Sequence, residues 1–130
     1  MNHSLRRTGR TTRMLREALG KALEGRTVIV MGWRDYDSQC LMRHLWDMPE
    51  LGRVPHSLHF TRREIRVGLR GTILFKSASL SPDFHWEPEP RLAGFGPETP
   101  IFIDHHTHEM KWEDDAAKAR KEREDRRAKK

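Results

Sequence analysis

The sequence predicts an α/β protein built on a small, mostly parallel sheet flanked by helices, with an added β-hairpin. Three stretches carry that prediction. In residues 14–23, Met14, Leu15, Ala18, Leu19, Ala22 and Leu23 recur at steps of one, three and four, the helical period. Residues 27–32, TVIVMG, are β-branched and apolar at both parities, as a strand covered on both faces must be. A third run, Ile101-Phe102-Ile103, is short, wholly apolar and ends on the carboxylate of Asp104.

The first helix opens behind Thr8-Gly9-Arg10-Thr11-Thr12, read as a glycine-containing turn with Thr11 or Thr12 capping the first turn and Gly25 stopping the helix. Arg6, Arg7, Arg10 and Arg13 gather at that start and oppose the helix dipole, an arrangement that an anion would relieve. After the buried strand, Asp35 and Asp37 start a second helix over 37–46, with Cys40, Leu41, His44 and Leu45 on one side and Pro49 ending it. Residues 51–60 read as irregular, with a short extended piece at 57–60. Glu64-Ile65-Arg66-Val67 alternates, Arg70-Gly71 turns, and residues 72–76 are apolar, so this pair predicts the hairpin. Residues 77–100 hold five prolines and form a long connection, which in a compact domain is functional or mobile. The domain occupies 1–112; residues 113–130 form a charged tail, helical or disordered, with alanines as its apolar content.

At 130 residues the chain bounds one domain with one modest core, and its 34% of charged residues predicts a densely charged surface. A formal charge of +6 favours acidic partners: a nucleotide, DNA, or an acidic protein face. Cys40 is the sole cysteine, which rules out an intramolecular disulfide and a cysteine-rich zinc site. No apolar run reaches membrane-spanning length and no signal-peptide core stands at the start, so a soluble, cytoplasmic protein with no membrane partner is expected.

Gly9-Arg10-Thr11 resembles the end of the phosphate-binding loop of P-loop NTPases, Gly-Lys-Ser/Thr, with arginine in the lysine place. Position 4, where that loop has its first glycine, is Ser4, and no strand precedes it. Residues 100–104 resemble a Walker B strand ending in aspartate, followed by His105 where the family has glutamate. The order of loop, helix, buried strand, helix, hairpin, and strand ending in Asp is similar to the ATPase half of helicases and large terminase subunits, over roughly residues 6–108. The layout resembles that of a small bacteriophage product acting in the host cytoplasm.

That resemblance implies a reduced P-loop-type site for ATP or another NTP with Mg2+. In it Gly9, Arg10, Thr11 and Thr12 would hold phosphates, Thr11 and Asp104 would approach the metal, and His105 would be the catalytic base of a weak NTPase. The alternative is a non-enzymatic phage accessory or inhibitor protein that binds DNA or a host or phage protein on a degenerate NTPase scaffold. A third reading takes Asp104, His106 and His108 as transition-metal ligands aligned along a strand-like continuation. Among the aromatics, Trp46 is expected in the core. Trp86, in the proline-rich connection, is expected at a contact surface.

Overall fold

The computed structural model describes residues 2–86 and 89–128, with side chains from Gly9 onward. Glu87 and Pro88 of the long connection, Lys129 and Lys130 of the tail, and the side chains of Arg6 and Arg7 therefore lie outside the described residues. Helix α1 covers Asn2–Leu23 and strand β1 Thr27–Gly32. Helix α2, Asp35–Trp46, is followed by the short α3, Pro49–Gly52. Strands β2 (His56–His59), β3 (Glu64–Val67) and β4 (Gly71–Ser77) come next. A 3-10 turn at Ala78–Leu80, strand β5 (Ile101–Ile103) and helix α4 (His105–Ala128) complete the chain.

Among the described residues the strands form one sheet in the order β2-β3-β4-β1-β5. β1 lies at its parallel centre, with Ile29 opposite Leu74 of β4 on one side and Ile101 of β5 on the other. β2, β3 and β4 pair antiparallel. The sheet is therefore mixed, where a mostly parallel one was expected. The Arg70-Gly71 hairpin was legible, but the exposed, weakly patterned His56–His59 adds a further antiparallel strand to it.

The strict alternation of β1 divides the core in two. Val28 and Val30 face Leu15, Ala18, Leu19 and Ala22 of α1 and Leu41, Met42 and Leu45 of α2. Ile29 and Met31 face the opposite side and meet Phe84 and Leu92 of the long connection, with Trp86 and Phe95 packed beside them. Helices thus cover one face of the sheet and an irregular loop covers the other. Ile73 and Phe75 of β4 join the first cluster, while Leu74 packs against the second.

Several local expectations change for identifiable reasons. α1 runs through Gly9 without a turn. A single helix-interior glycine costs only about 1 kcal/mol relative to alanine, less than the packing of the stripe behind it returns. α2 stops at Trp46, and Pro49 begins α3 at the first helical position, where its missing N–H costs nothing. The histidine cluster after Asp104 is the first turn of α4 and not a strand continuation, and α4 crosses residue 113 without a break. Trp46 stands 42% exposed instead of in the core. Trp86 is half-buried between Phe84, 4.9 Å away, and His108, 5.7 Å away. No helix among the described residues is long and apolar enough to cross a membrane.

Candidate functional site

The parallel strands β1, β4 and β5 end on one edge of the sheet, the edge at which open α/β sheets place their ligands. Part of that edge is sealed. The hydroxyl of Ser38, in the first turns of α2, donates to the Lys76 carbonyl and lies 3.1 Å from the hydroxyl of Ser77. The Ser79 amide donates to the Trp33 carbonyl at 2.9 Å. These bonds tie the end of β1 to the end of β4.

At the end of β5, Asp104 is only 3% exposed. Its amide donates to the Met31 carbonyl at 3.3 Å, extending the pairing of β5 with β1 by one residue. Its own carbonyl accepts from the Thr107 amide at 2.9 Å, which sets the first turn of α4, and the Thr107 hydroxyl returns to the same Met31 carbonyl at 3.3 Å. The backbone of Asp104 is thus fixed from both sides. Its carboxylate Oδ1 accepts the hydroxyl of Thr11 at 2.9 Å, a buried bond between residues 93 positions apart.

Thr11 reaches this place because it continues the buried stripe of α1. Thr11, Leu15, Ala18 and Ala22 follow one another at helical steps, and all four are buried. The sequence holds that signal, since Thr11 stands four residues before Leu15 on the apolar face. Among the described residues, no donor other than Thr11 reaches the Asp104 carboxylate. Among the described residues, the second oxygen of this water-excluded carboxylate therefore keeps spare acceptor capacity, which a polar group or cation would fill.

The remaining predicted residues are placed apart from this pair. Gly9 and Arg10 are exposed on α1. The half-buried Thr12 meets Nε2 of His44 on α2 at 2.9 Å, a contact that locks α1 to α2. His105 binds Glu109 along α4 at 3.0 Å, so its hydrogen bond runs away from Asp104 and Thr11. His108 packs its ring between Trp86 and Trp112. Helical geometry therefore splits Asp104, His106 and His108, and no group of three or more potential metal ligands occurs among the described residues.

These positions test the implied ligands separately. A hydroxyl and a carboxylate in contact are hard oxygen donors suited to Mg2+, and Thr11 with Asp104 fit that role. A phosphate cradle needs backbone amides free to point at the anion. Gly9 and Arg10–Thr12 instead lie inside a helix whose amides bond within it, and a Cβ at Gly9 would have nothing within 4 Å. In this conformation the cradle does not fit. Compared with family models, with curated proteins and with solved structures, the chain gives no match in any of the three.

Proposed function

We propose that the protein is a reduced P-loop-type nucleotide-binding protein, phage-encoded and DNA-associated, with Thr11 and Asp104 as the residues that would hold Mg2+. The observation that carries this reading is the buried 2.9 Å bond between them at the carboxyl edge of the parallel strands. The resemblance requires a hydroxyl on the first helix to meet an aspartate at the end of a distant strand, and here Thr11, in the middle of α1, touches Asp104. Bound magnesium would supply charge neutralisation for phosphate oxygens. The chain itself contributes the pair, its exclusion from water, and the backbone bonds that fix Asp104. This reading requires the start of α1 to open at Gly9, because a continuous helix offers no amides to a phosphate.

A second reading has its own support. The helix through Gly9, the turn of His105 toward Glu109 and the use of Thr12 on His44 favour a non-enzymatic scaffold that binds DNA or a protein. In it the Thr11–Asp104 bond is a structural tie.

Thermal unfolding with ATP or GTP, each with and without Mg2+, separates the two. At a hundred times its dissociation constant, a ligand stabilises the fold by about 2.7 kcal/mol, a rise on the order of 10 °C for a domain of this size. The nucleotide reading expects that rise to need magnesium, to survive Thr11→Ser, and to vanish in Thr11→Val and Asp104→Asn. It also expects Gly9→Ala to weaken binding by about five-fold, because alanine holds the helix closed by roughly 1 kcal/mol. If wild-type protein shows no rise under any of these conditions, the scaffold reading stands in its place.

A further inference from the structure

Across the sheet from Asp104, helix α2 and strand β2 border a groove of about 310 Å³. Tyr36, Trp46 and Phe60 line it together with Leu58, Gln39 and Arg43. The three rings are unusually open, with Tyr36 71%, Phe60 54% and Trp46 42% exposed. Single exposed apolar side chains are ordinary, but three large rings sharing one concavity mark a contact surface. Among the described residues, the core beneath α2 is completed by Leu41, Met42 and Leu45 without them.

The charges around the groove choose its occupant. Arg43 is its one charged lining residue, and no carboxylate lines it. Of the two acids in the first turn of α2, Asp35 is engaged by the Arg63 guanidinium at 3.0 Å and by the Gln39 amide at 2.9 Å, and Asp37 accepts from the Arg34 amide at 3.0 Å. Arg63 also stands 4.9 Å over the ring of Phe60, and His56 meets Trp46 edge-on at 5.2 Å. The chain as a whole carries +6. Aromatic faces interleaved with cations fit a partner that offers flat rings and negative charge in alternation. Bases held inside a duplex present edges and not faces, so an unpaired strand is the form that can stack here.

We propose that the groove of Tyr36, Trp46 and Phe60 binds single-stranded nucleic acid, the rings stacking on bases and Arg43 meeting the phosphate backbone. This site is separate from the Thr11–Asp104 pair and does not rest on nucleotide binding there. The test is fluorescence anisotropy of a fluorescein-labelled oligothymidylate of about 12 nucleotides, titrated with the full chain at several salt concentrations without nucleotide or magnesium. Failure of the nucleotide reading therefore leaves this result untouched.

Wild-type protein is expected to bind the oligomer in preference to a duplex of equal length, and more weakly as salt rises. Tyr36→Ala and Phe60→Ala should each loosen binding about five-fold or more, and Arg43→Ala should lessen the salt slope by about 0.7. All three side chains are exposed, so the variants should melt as the wild type does. Two results would overturn the proposal. One is oligomer binding that falls with salt but ignores both aromatic substitutions, which would make it charge attraction alone. The other is no oligomer binding at all. If the protein then sediments as a dimer that Tyr36→Ala dissolves, the groove receives a second copy of the chain.

Discussion

The two faces of the sheet are covered by different means. On one, α1 and α2 lay regular apolar stripes over Val28, Val30, Ile73 and Phe75, and nearly every contact residue is fully buried. On the other, Ile29 and Met31 are covered by the described residues of the 81–100 connection, whose anchors Phe84 and Leu92 keep 7% and 8% of their surface open. Among the described residues, that loop is held by turns, by an isolated bridge between His85 and Arg91, and by the Arg26 guanidinium donating to the Glu98 carbonyl at 2.9 Å. A helix satisfies its own backbone and so can be pressed flat against a sheet, whereas a loop must spend part of its length on its own polar groups. The same central strand therefore has a rigid side and an adaptable side.

The largest expected effect probes the rigid side at its tightest point. Gly71 opens β4 directly beneath the end of α1, and a Cβ there would strike the Ala22 carbonyl, with its carbon only 2.7 Å away. Both obstacles are backbone, so neither can swing aside. Gly71→Ala is expected to cost about 3 kcal/mol or more in chemical denaturation, a large share of a domain's stability. A change under about 1 kcal/mol would show that α1 can lift from the sheet, and the contrast between the faces would lose its basis.

Next in size is a matched pair of truncations. Leu45→Ala, on the helix face, should cost about 2–5 kcal/mol, because its surroundings cannot collapse into the space. Leu92→Ala, on the loop face, should cost nearer 1–2 kcal/mol, because a loop can settle over the gap. Equal losses in the two variants would mean that the loop is as firmly packed as the helices.

The smallest effect is electrostatic. The hydrogen bond from Arg63, with a second from Gln39, holds the Asp35 carboxyl below the usual carboxylate range. A depressed carboxylate stabilises the fold fully above its unfolded pKa of about 4, and that contribution disappears as pH falls through the lower folded value. On the loop face, Lys76 over Phe95 and Lys111 over Trp86 are contacts in which no carboxylate takes part, and the Glu89–Arg91 pair is a loose 3.9 Å between exposed side chains. Below about pH 4, amide exchange is thus expected to quicken around α2 and β3 before residues 81–100, and Asp35→Asn should erase the difference. Simultaneous loosening of both regions would contradict this assignment.

How much of this was legible in the sequence follows from the physics of each stretch. Residues 27–32 could be read because a strand buried on both faces has no polar position to blur it, and the structure gives β1 the same bounds. The hairpin of β3 and β4 was visible in its alternation and its Arg70-Gly71 turn. β2 was read only as a short extended piece at 57–60, because His56–His59 is an exposed edge strand whose pairing, not its composition, makes it part of the sheet. The Gly9 turn was misread because one glycine marks a turn only where no longer helix runs through it. At the candidate site, Asp104 was recognisable as the end of an apolar strand, and Thr11 as a residue of interest. Their proximity was expected only through the resemblance, since no spacing rule brings together residues so far apart. The open rings of Tyr36, Trp46 and Phe60 were equally hidden, because the sequence shows which residues are aromatic and only the fold shows which stay uncovered.

The bond between Thr11 and Asp104 also has a meaning in time. It closes a loop of 93 residues, and the entropy of closing so long a loop leads us to expect that it forms after the sheet between its ends is in register. An interaction absent from the barrier to folding acts on the rate of opening and leaves the rate of closing alone. One hydrogen bond adds little to equilibrium stability. Placed where α1 meets the start of α4, it is then expected to work as a latch that lengthens the lifetime of the folded state, which faster unfolding of Thr11→Val at an unchanged folding rate would show.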